Sequence, residues 1–326
     1  MLKRLVNEAL FSLTITTTGP LLIKSGYATL TGPDMTPVLT YRNGRAEVFI
    51  PGSSLKGVVR SHIEKVARTL RPNDIVIADP FKREGPDQAV SSWLQERKDE
   101  LKAQGREEAL TNAAAYAASD PAARLFGSTF YHGRISIGDA YLTPATQGPT
   151  PTEQRDGVGI DRLTGGAYPK AKFELEVVTA GTIFCTDILL RNFECWQLGA
   201  LLLVVQDFED ELIRIGSGGS RGLGAVRGSV STIRTHHLGP TPARDPATIW
   251  GLGKFMGTDR SYGTWPDDTL EVTPPPTSKQ HGIRSVQIWE EASLAALKKA
   301  AISEFVRRIE QFPAYKQPRP SIRGIL

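Results

Sequence analysis

The chain has 326 residues, 40% of them hydrophobic and 23% charged, which is enough apolar sequence for one large domain or two smaller ones. The formal net charge is only +4, so any nucleic-acid surface must come from local clusters of basic residues. Cys185 and Cys195 are the only cysteines, which excludes a disulfide framework, and no apolar run could span a bilayer, so we expect a cytoplasmic protein without a membrane partner.

Patterns of strand type and helix type alternate along the chain, which predicts an α+β fold built on a split β-α-β core. In chain order, the predicted elements are a strand at 5–23, a polar loop at 25–46, a strand at 47–50, a helix that begins at Ser53, a helical insertion at 81–118, strands at 134–142, 173–178 and 182–190, a helix at 196–205, a glycine-rich loop at 216–224, a strand at 225–233 and an amphipathic helix at 288–312.

The segment I-P-G-S-S-L-K-G-V-V-R, residues 50–60, predicts a strand end, a turn and a helix start. Ser53 and Ser54 stand where helix N-cap residues belong, and free N–H groups at a helix start bind phosphate. Lys56 and Arg60 would extend this cationic face by one turn. The segment is not a Walker A loop, because no Lys-Ser or Lys-Thr pair follows its second glycine. On physical grounds alone, a capped helix with a solvated basic side is the commoner case.

The glycine-dense segment G-S-G-G-S-R-G-L-G-A-V, residues 216–226, predicts a loop that a ligand can approach closely. Its N–H groups could bind an anion. A flexible hairpin connection is an equally good interpretation. The segment is neither a dinucleotide fingerprint nor the aromatic signature of RNA-recognition motifs, because no long helix follows it and it has no aromatic residues.

Asp34 lies in the turn-forming segment T-G-P-D-M-T-P, residues 31–37. An Asx-turn is the ordinary explanation of such an aspartate. The five histidines show no spacing typical of a metal site, so we expect no permanently bound cofactor.

Taken in order, six motifs resemble those of the RAMP superfamily, and most closely its seven-group backbone subunits in type III and type IV CRISPR effector complexes. The resemblance spans about residues 8–233. The motifs are the loop around Asp34, I-P-G-S-S-L-K-G, R-L-F-G-S (124–128), R-I-S-I-G-D-A (134–140), I-D-R-L-T-G-G-A (160–167) and S-R-G-L-G.

The resemblance implies a modified RNA-recognition-motif (ferredoxin-like) core over residues 1–239. This core would carry an inserted helical region at about 75–125 and a β-hairpin thumb at about 144–175, around Arg162. Residues 240–326 match no motif, and we expect them to form a C-terminal extension that packs on the core and includes the final helix.

In function, the resemblance implies a subunit that oligomerises head to tail along guide RNA in an antiviral ribonucleoprotein. Its partners would be guide RNA, a complementary target nucleic acid, copies of itself and other CRISPR effector subunits. The RNA ligands would be Ser53, Ser54, Lys56, Arg60, Arg162, Gly219, Ser220 and Arg221.

Catalysis remains open at this point. Some type III relatives cleave target RNA with an aspartate in the first loop, so Asp34 could act with Mg²⁺ or Mn²⁺, whereas type IV relatives are scaffolds. The surroundings of Asp34 depart from the cleaving pattern, since Gly32–Pro33 replaces a paired glycine and Leu39–Thr40 replaces an Arg-Asp pair. The alternatives are a free-standing, metal-independent RNA endonuclease of the guide-processing type and a generic RNA-binding module.

Overall fold

A computed structural model describes residues 3–26, 32–42, 44–144, 151–239, 245–259 and 261–314. The strands are β1 (Asn7–Thr17), β2 (Leu39–Arg42), β3 (Arg45–Ile50), β4 (Gly127–Ser128), β5 (Tyr131–His132), β6 (Ile135–Ile137), β7 (Ala140–Leu142), β8 (Thr152–Ile160), β9 (Ala167–Val178), β10 (Ile183–Arg191), β11 (Val226–Ser229), β12 (Thr232–Leu238), β13 (Thr248–Trp250), β14 (Thr269–Glu271), β15 (Thr277–His281) and β16 (Arg284–Glu290). The helices are α1 (Gly52–Leu70), α2 (Val90–Ala103), α3 (Asn112–Ala117), α4 (Pro121–Phe126), α5 (Cys195–Glu209), α6 (Leu252–Met256) and α7 (Glu291–Gln311).

Within the described residues, ten strands form one antiparallel sheet in the order β15-β16-β12-β1-β10-β7-β3-β2, with β11 also beside β1 and β6 beside β10. The strand β1 lies at its centre, and its alternate residues Phe11, Leu13 and Ile15 are buried while Ser12 between them is exposed. This two-residue alternation is what a sheet covered on one face requires. The covering comes from helices.

The central strands form two interlocked split β-α-β units. In the first, α1 connects β1 to β6 with β10 between them, and in the second, α5 connects β10 to β12 with β1 between them. The two helices contact each other, and their buried residues join those of β1 in one hydrophobic core. The predicted α+β fold with a ferredoxin-like core is confirmed.

The C-terminal residues contribute to both the sheet and the helical layer. The strand β16 pairs with β12 along seven residues, and α7 packs against α5. Because α5 is enclosed between sheet and helix, Gly199 has room for no side chain: a Cβ there would lie 1.9 Å from the Ala301 carbonyl oxygen. Leu297, Phe305 and Ile309 of α7 are fully buried.

Several predicted boundaries are wrong. Residues 288–290 belong to β16, and the final helix begins only at Glu291. The first strand ends at Thr17 rather than residue 23, because Gly19 and Pro20 break it. The predicted strand 134–142 is split into β6 and β7. The predicted loop 25–46 contains β2, and its residues 27–31 and 43 lie outside the described residues.

The strands β8 and β9 form a separate two-stranded hairpin. Its outer part is exposed on both faces, and only the end of β9, at Val177 and Val178, is buried in the molecule. The hairpin therefore projects from its base. The first part of the predicted thumb, residues 145–150, lies outside the described residues.

Candidate nucleic-acid interface

The start of α1 is fixed by a strand that is distant in sequence. Pro51 is the N-cap residue, and the N–H of Gly52 donates to Asp139 Oδ1 at 2.7 Å. Gly52 lies so close to the β6–β7 turn that a Cβ would be 2.5 Å from the Ile137 carbonyl oxygen. The motifs P-G and G-D thus meet at one contact that anchors the helix.

The prediction that Ser53 and Ser54 are N-cap residues is wrong. Pro51 takes that position, and the two serines lie in the first helical turn, where their side chains make no capping bond. No described residue accepts a hydrogen bond from their N–H groups, and the first turn holds no acidic residue. The positive end of the helix is therefore open to an anion.

The exposed face of α1 carries a row of small residues. Ser53, Gly57 and Ser61 follow one another at intervals of four residues and are all exposed. A Cβ at Gly57 would meet nothing within 4 Å, so no protein contact requires glycine there. A glycine in a helix interior costs about 0.5–1 kcal/mol relative to alanine, and the bare backbone lets a ligand come close.

The two predicted basic ligands of α1 differ in their surroundings. Arg60 forms an ion pair with Glu64, with Nε at 2.7 Å from Oε1, and its guanidinium lies 5.8 Å from the centre of the Phe126 ring. Lys56 has no ion-pair partner among the described residues. Only Lys56 is thus free to neutralise a ligand without giving up an internal pair.

A basic cleft lies between α1 and residues 212–216, with a volume of about 620 Å³. It contains three groups that carry or can take positive charge, and no carboxylate occurs among its described lining residues. The lining residues are Ser54, Gly57, Val58, Ser61, His62, Lys65, Leu212, Ile213, Arg214 and Gly216. The imidazole of His62 is held by Asp207 of α5, with His62 Nε2 at 2.5 Å from Asp207 Oδ2.

A second cleft, here called the Phe81 cleft, lies on the other side of the same helix face and has a volume of about 580 Å³. It differs in charge, since three carboxylates outnumber its two arginines. The lining residues are Gly57, Arg60, Ser61, Glu64, Arg68, Ile77, Asp79, Pro80, Phe81 and Asp87. The two clefts meet at Gly57 and Ser61.

The glycine-rich loop continues from the basic cleft at Gly216. Its glycines at 216, 218 and 224 adopt φ between +78° and +82°, and a Cβ at Gly224 would lie 2.2 Å from the Ile215 carbonyl oxygen. The fold therefore needs these glycines whatever the loop binds. The N–H groups of Gly219 and Ser220 have no acceptor among the described residues, whereas that of Arg221 donates to Gly218. The Arg221 guanidinium lies 5.8 Å from the ring centre of Phe173 on β9.

At the tip of the hairpin, Asp161 shapes the turn. It accepts hydrogen bonds from the Leu163 N–H and the Thr164 hydroxyl, and the bond from Leu163 holds the pKa of Asp161 below its usual value. Arg162 is exposed beside Leu163, whose side chain is 96% exposed, and has no ion-pair partner in the described part of the chain. The tip thus presents one cation and one apolar side chain to solvent.

Asp34 lies at the base of the same hairpin. Its Oδ2 accepts the N–H of Glu174 on β9 at 2.8 Å, and its neighbour Met35 bridges to Leu175. The carboxylate is exposed, and no group of three His, Cys, Asp or Glu side chains that could hold a metal ion occurs among the described residues. The visible role of Asp34 is to fasten the first loop to the hairpin.

Of the predicted residues, Ser54 lines the basic cleft and Arg60 lines the Phe81 cleft, while Ser53 and Lys56 lie in the first two turns of α1. Gly219, Ser220 and Arg221 lie in the glycine-rich loop, and Arg162 and Asp34 lie at the two ends of the hairpin.

Four further residues belong to this surface and were not predicted as part of it: Lys65, Phe81, Asp139 and Arg214. Lys65 is visible on the polar side of the helical pattern. Asp139 belongs to the R-I-S-I-G-D-A motif, but its contact with α1 could not be predicted from that motif. Arg214 and Phe81 carry no local signal, because they reach α1 only through the tertiary fold.

Comparison with known proteins agrees with these motifs. A family model described as the RAMP superfamily matches residues 14–227, about two thirds of the chain. Among curated proteins, none matches the chain at a significant level. In the described part of the chain, no helix is both long and apolar enough to cross a membrane.

Proposed function

The chain belongs to the RAMP superfamily of CRISPR-associated RNA-binding proteins, and from this premise we propose that it is a seven-group backbone subunit that binds guide RNA and assembles along it. The observation that carries the proposal is the continuous surface formed by the first turn of α1, the basic cleft and the glycine-rich loop. It offers unoccupied N–H donors together with Lys65 and Arg214. Donors of both kinds bind phosphate.

This surface contacts the sugar–phosphate backbone of the RNA and does not read its base sequence. On the exposed side of the sheet, the central strands β1 and β10 present Ser12, Thr14 and Asp187 where an RNA-recognition motif has stacking rings. The rings on this side, Phe49 and Tyr141, lie on the flanking strands β3 and β7 and stack on each other. Contacts to phosphate and sugar carry no sequence information. A subunit that must hold any guide sequence needs this property.

The hairpin supports the assembly part of the proposal. An isolated two-stranded ribbon is at best marginally stable in water, and the outer parts of β8 and β9 have no third strand or helix against them within the described residues. We propose that this hairpin is the thumb, that Arg162 and Leu163 at its tip contact the guide or a neighbouring copy, and that it bends the guide at regular intervals.

For target RNA, we propose a scaffold role. Asp34 already accepts a hydrogen bond from the Glu174 N–H of the hairpin, and this contact accounts for its position without a catalytic role. If Asp34 instead supports cleavage, its second oxygen would hold the Mg²⁺ or Mn²⁺ ion near the scissile phosphate.

The test is RNA binding by the intact chain at several salt concentrations and RNA lengths. We expect log affinity to fall with log salt by about 0.7 for each phosphate contact, and we expect the complex to grow in steps as the RNA is lengthened. Lys65→Gln with Arg214→Gln should lower the slope, whereas Arg234→Gln with Lys279→Gln, a pair of exposed cations elsewhere, should not. Binding that ignores salt, or one subunit per RNA of any length, would contradict the proposal.

One observation favours a second candidate, the metal-independent RNA endonuclease. His62 lies in the basic cleft with Asp207 behind it, the arrangement of a general base and its orienting carboxylate. His62 would take the proton of a ribose 2′-hydroxyl, whose oxygen would attack phosphorus and break the P–O5′ bond. The products would be a 2′,3′-cyclic phosphate and a 5′-hydroxyl that takes its proton from water. Cleavage in the presence of EDTA, abolished by His62→Ala, would establish this function over the scaffold.

A further inference from the structure

The side chain of Phe81 is 92% exposed, yet the backbone that carries it is tightly held. Its N–H donates to Asp79 Oδ1 at 2.9 Å, and the segment is closed by backbone bonds from Asp79 to Asp87 and from Ala89 to Lys82, both at 2.8 Å. Lys82 and Asp87 also form an ion pair at 2.6 Å. The backbone that carries the ring is therefore held at a defined place, and the ring itself is open to solvent.

The position of the Phe81 ring matters because two clefts of different charge meet beside it. Phe81 lines one of the two clefts that meet at Gly57 and Ser61 on the exposed face of α1. On one side of this line the cleft is basic, and none of its described lining residues carries a carboxylate. On the other side an aromatic ring is available, and the arginines and two of the three carboxylates are held in ion pairs within the protein. A single nucleic-acid strand has the same two sides, anionic phosphate on one and uncharged bases on the other.

We propose that Phe81 stacks on an unpaired base of the RNA whose phosphates lie in the basic cleft. The inference rests on the proposed RNA-binding function and adds the site at which the protein contacts a base. Stacking suits a subunit that holds any guide, because every base has a π-face and stacking tolerates sequence changes. Gly57, between the two clefts, lets the strand cross the helix closely.

The experiment compares wild type, Phe81→Ala, Phe81→Trp and Ile283→Ala, the last an exposed apolar residue in the β15–β16 turn. The probe is single-stranded RNA that carries 2-aminopurine at successive positions. We expect one position in each repeat to be quenched by wild type and by Phe81→Trp, and not by Phe81→Ala. The affinity of Phe81→Ala should fall by about 5- to 150-fold, the range of a single base stack, while Ile283→Ala binds as wild type does.

The salt dependence separates this site from the basic cleft. Phe81→Ala should leave the slope of log affinity against log salt unchanged, because stacking neutralises no phosphate. If wild type binds RNA but Phe81→Ala matches it in affinity and in quenching, the proposal is overturned and the ring serves a protein partner instead. If wild type binds no RNA, the proposed function itself fails, and this inference fails with it.

Discussion

Gly57 on the exposed face of α1 allows stability and binding to be separated at a single residue. A methyl group there would contact nothing in the free protein, so Gly57→Ala should raise the free energy of unfolding by about 0.5–1 kcal/mol. The same methyl would stand in the path of the RNA, so affinity should fall several-fold. Urea unfolding and RNA titration of the same sample measure both quantities. A variant that is more stable and binds equally well would show that RNA does not cross the helix at Gly57.

Asp34 can be tested by a pair of substitutions that separate tethering from catalysis. Asp34→Asn keeps an oxygen that can accept the Glu174 N–H, whereas Asp34→Ala removes it. For a tether, we expect Asp34→Asn to behave as wild type and Asp34→Ala to increase amide exchange at the base of β9, with a loss of stability of about 0.5–1.5 kcal/mol. For a catalytic carboxylate, both variants would lose cleavage of a labelled target RNA by the assembled complex with Mg²⁺. That second outcome would reject the scaffold role.

At the scale of elements, the close packing of α5 against α7 depends on a glycine in α5. A Cβ at Gly199 would lie 1.9 Å from the Ala301 oxygen and 3.0 Å from Cβ of Phe305. Gly199→Ala must therefore push the two helices apart, and we expect a loss of about 1–3 kcal/mol. Gly57→Ala is its matched control, because both are helix-interior glycines and only their neighbours differ. A stabilised Gly199→Ala variant, measured by urea unfolding, would show that α7 does not pack on α5.

The elements also show which parts of the fold could be predicted from the sequence pattern. The pattern predicted α1, α5 and the 216–224 loop, because each depends on residues close together in the chain. It failed at the start of α1, since the group that bonds to the helix there, Asp139, is 87 positions from Gly52. It failed for Asp34 in the same way, since its partner Glu174 is 140 positions away. Side chains at the site that depend on tertiary contacts leave no local periodicity to detect.

At the scale of the molecule, the C-terminal residues complete a core that the family motifs alone would leave open. The family model ends at residue 227, before the partner strand β16 and the helix that covers α5. Asp268 joins the two parts: its carboxylate accepts the N–H of Cys195 at 2.8 Å and of Gly253 at 2.9 Å, in the first turns of α5 and α6. Complete burial, together with the nearby Glu194 carboxylate, raises the pKa of Asp268 to about 7.

This raised pKa predicts how stability depends on pH. The folded protein keeps a proton that an unfolded aspartate, with a pKa of about 3.9, releases. The stability from Asp268 is therefore complete below about pH 4 and is lost as the pH rises through about 7. Between those values, the free energy of unfolding of wild type should fall by up to about 1.4 kcal/mol per pH unit relative to Asp268→Asn. The pKa of His236 is lowered by burial and acts in the opposite direction, but it does so in both proteins and cancels in the comparison.

The measurement is urea unfolding of wild type and Asp268→Asn at about pH 5, 6 and 7, the interval over which the unfolded aspartate is ionised and the folded one is not. At about pH 4 the variant should be less stable by about 1–3 kcal/mol, because an amide has one oxygen to offer where the carboxyl group accepts from two N–H groups. The difference should shrink as the pH rises, and its sign should reverse once the pH-dependent loss of wild type exceeds that cost. That cost is constant, so it changes the height of the curve and not its slope. Equal slopes for the two proteins would mean that Asp268 is already ionised in the folded state and holds α5 and α6 as a charged group.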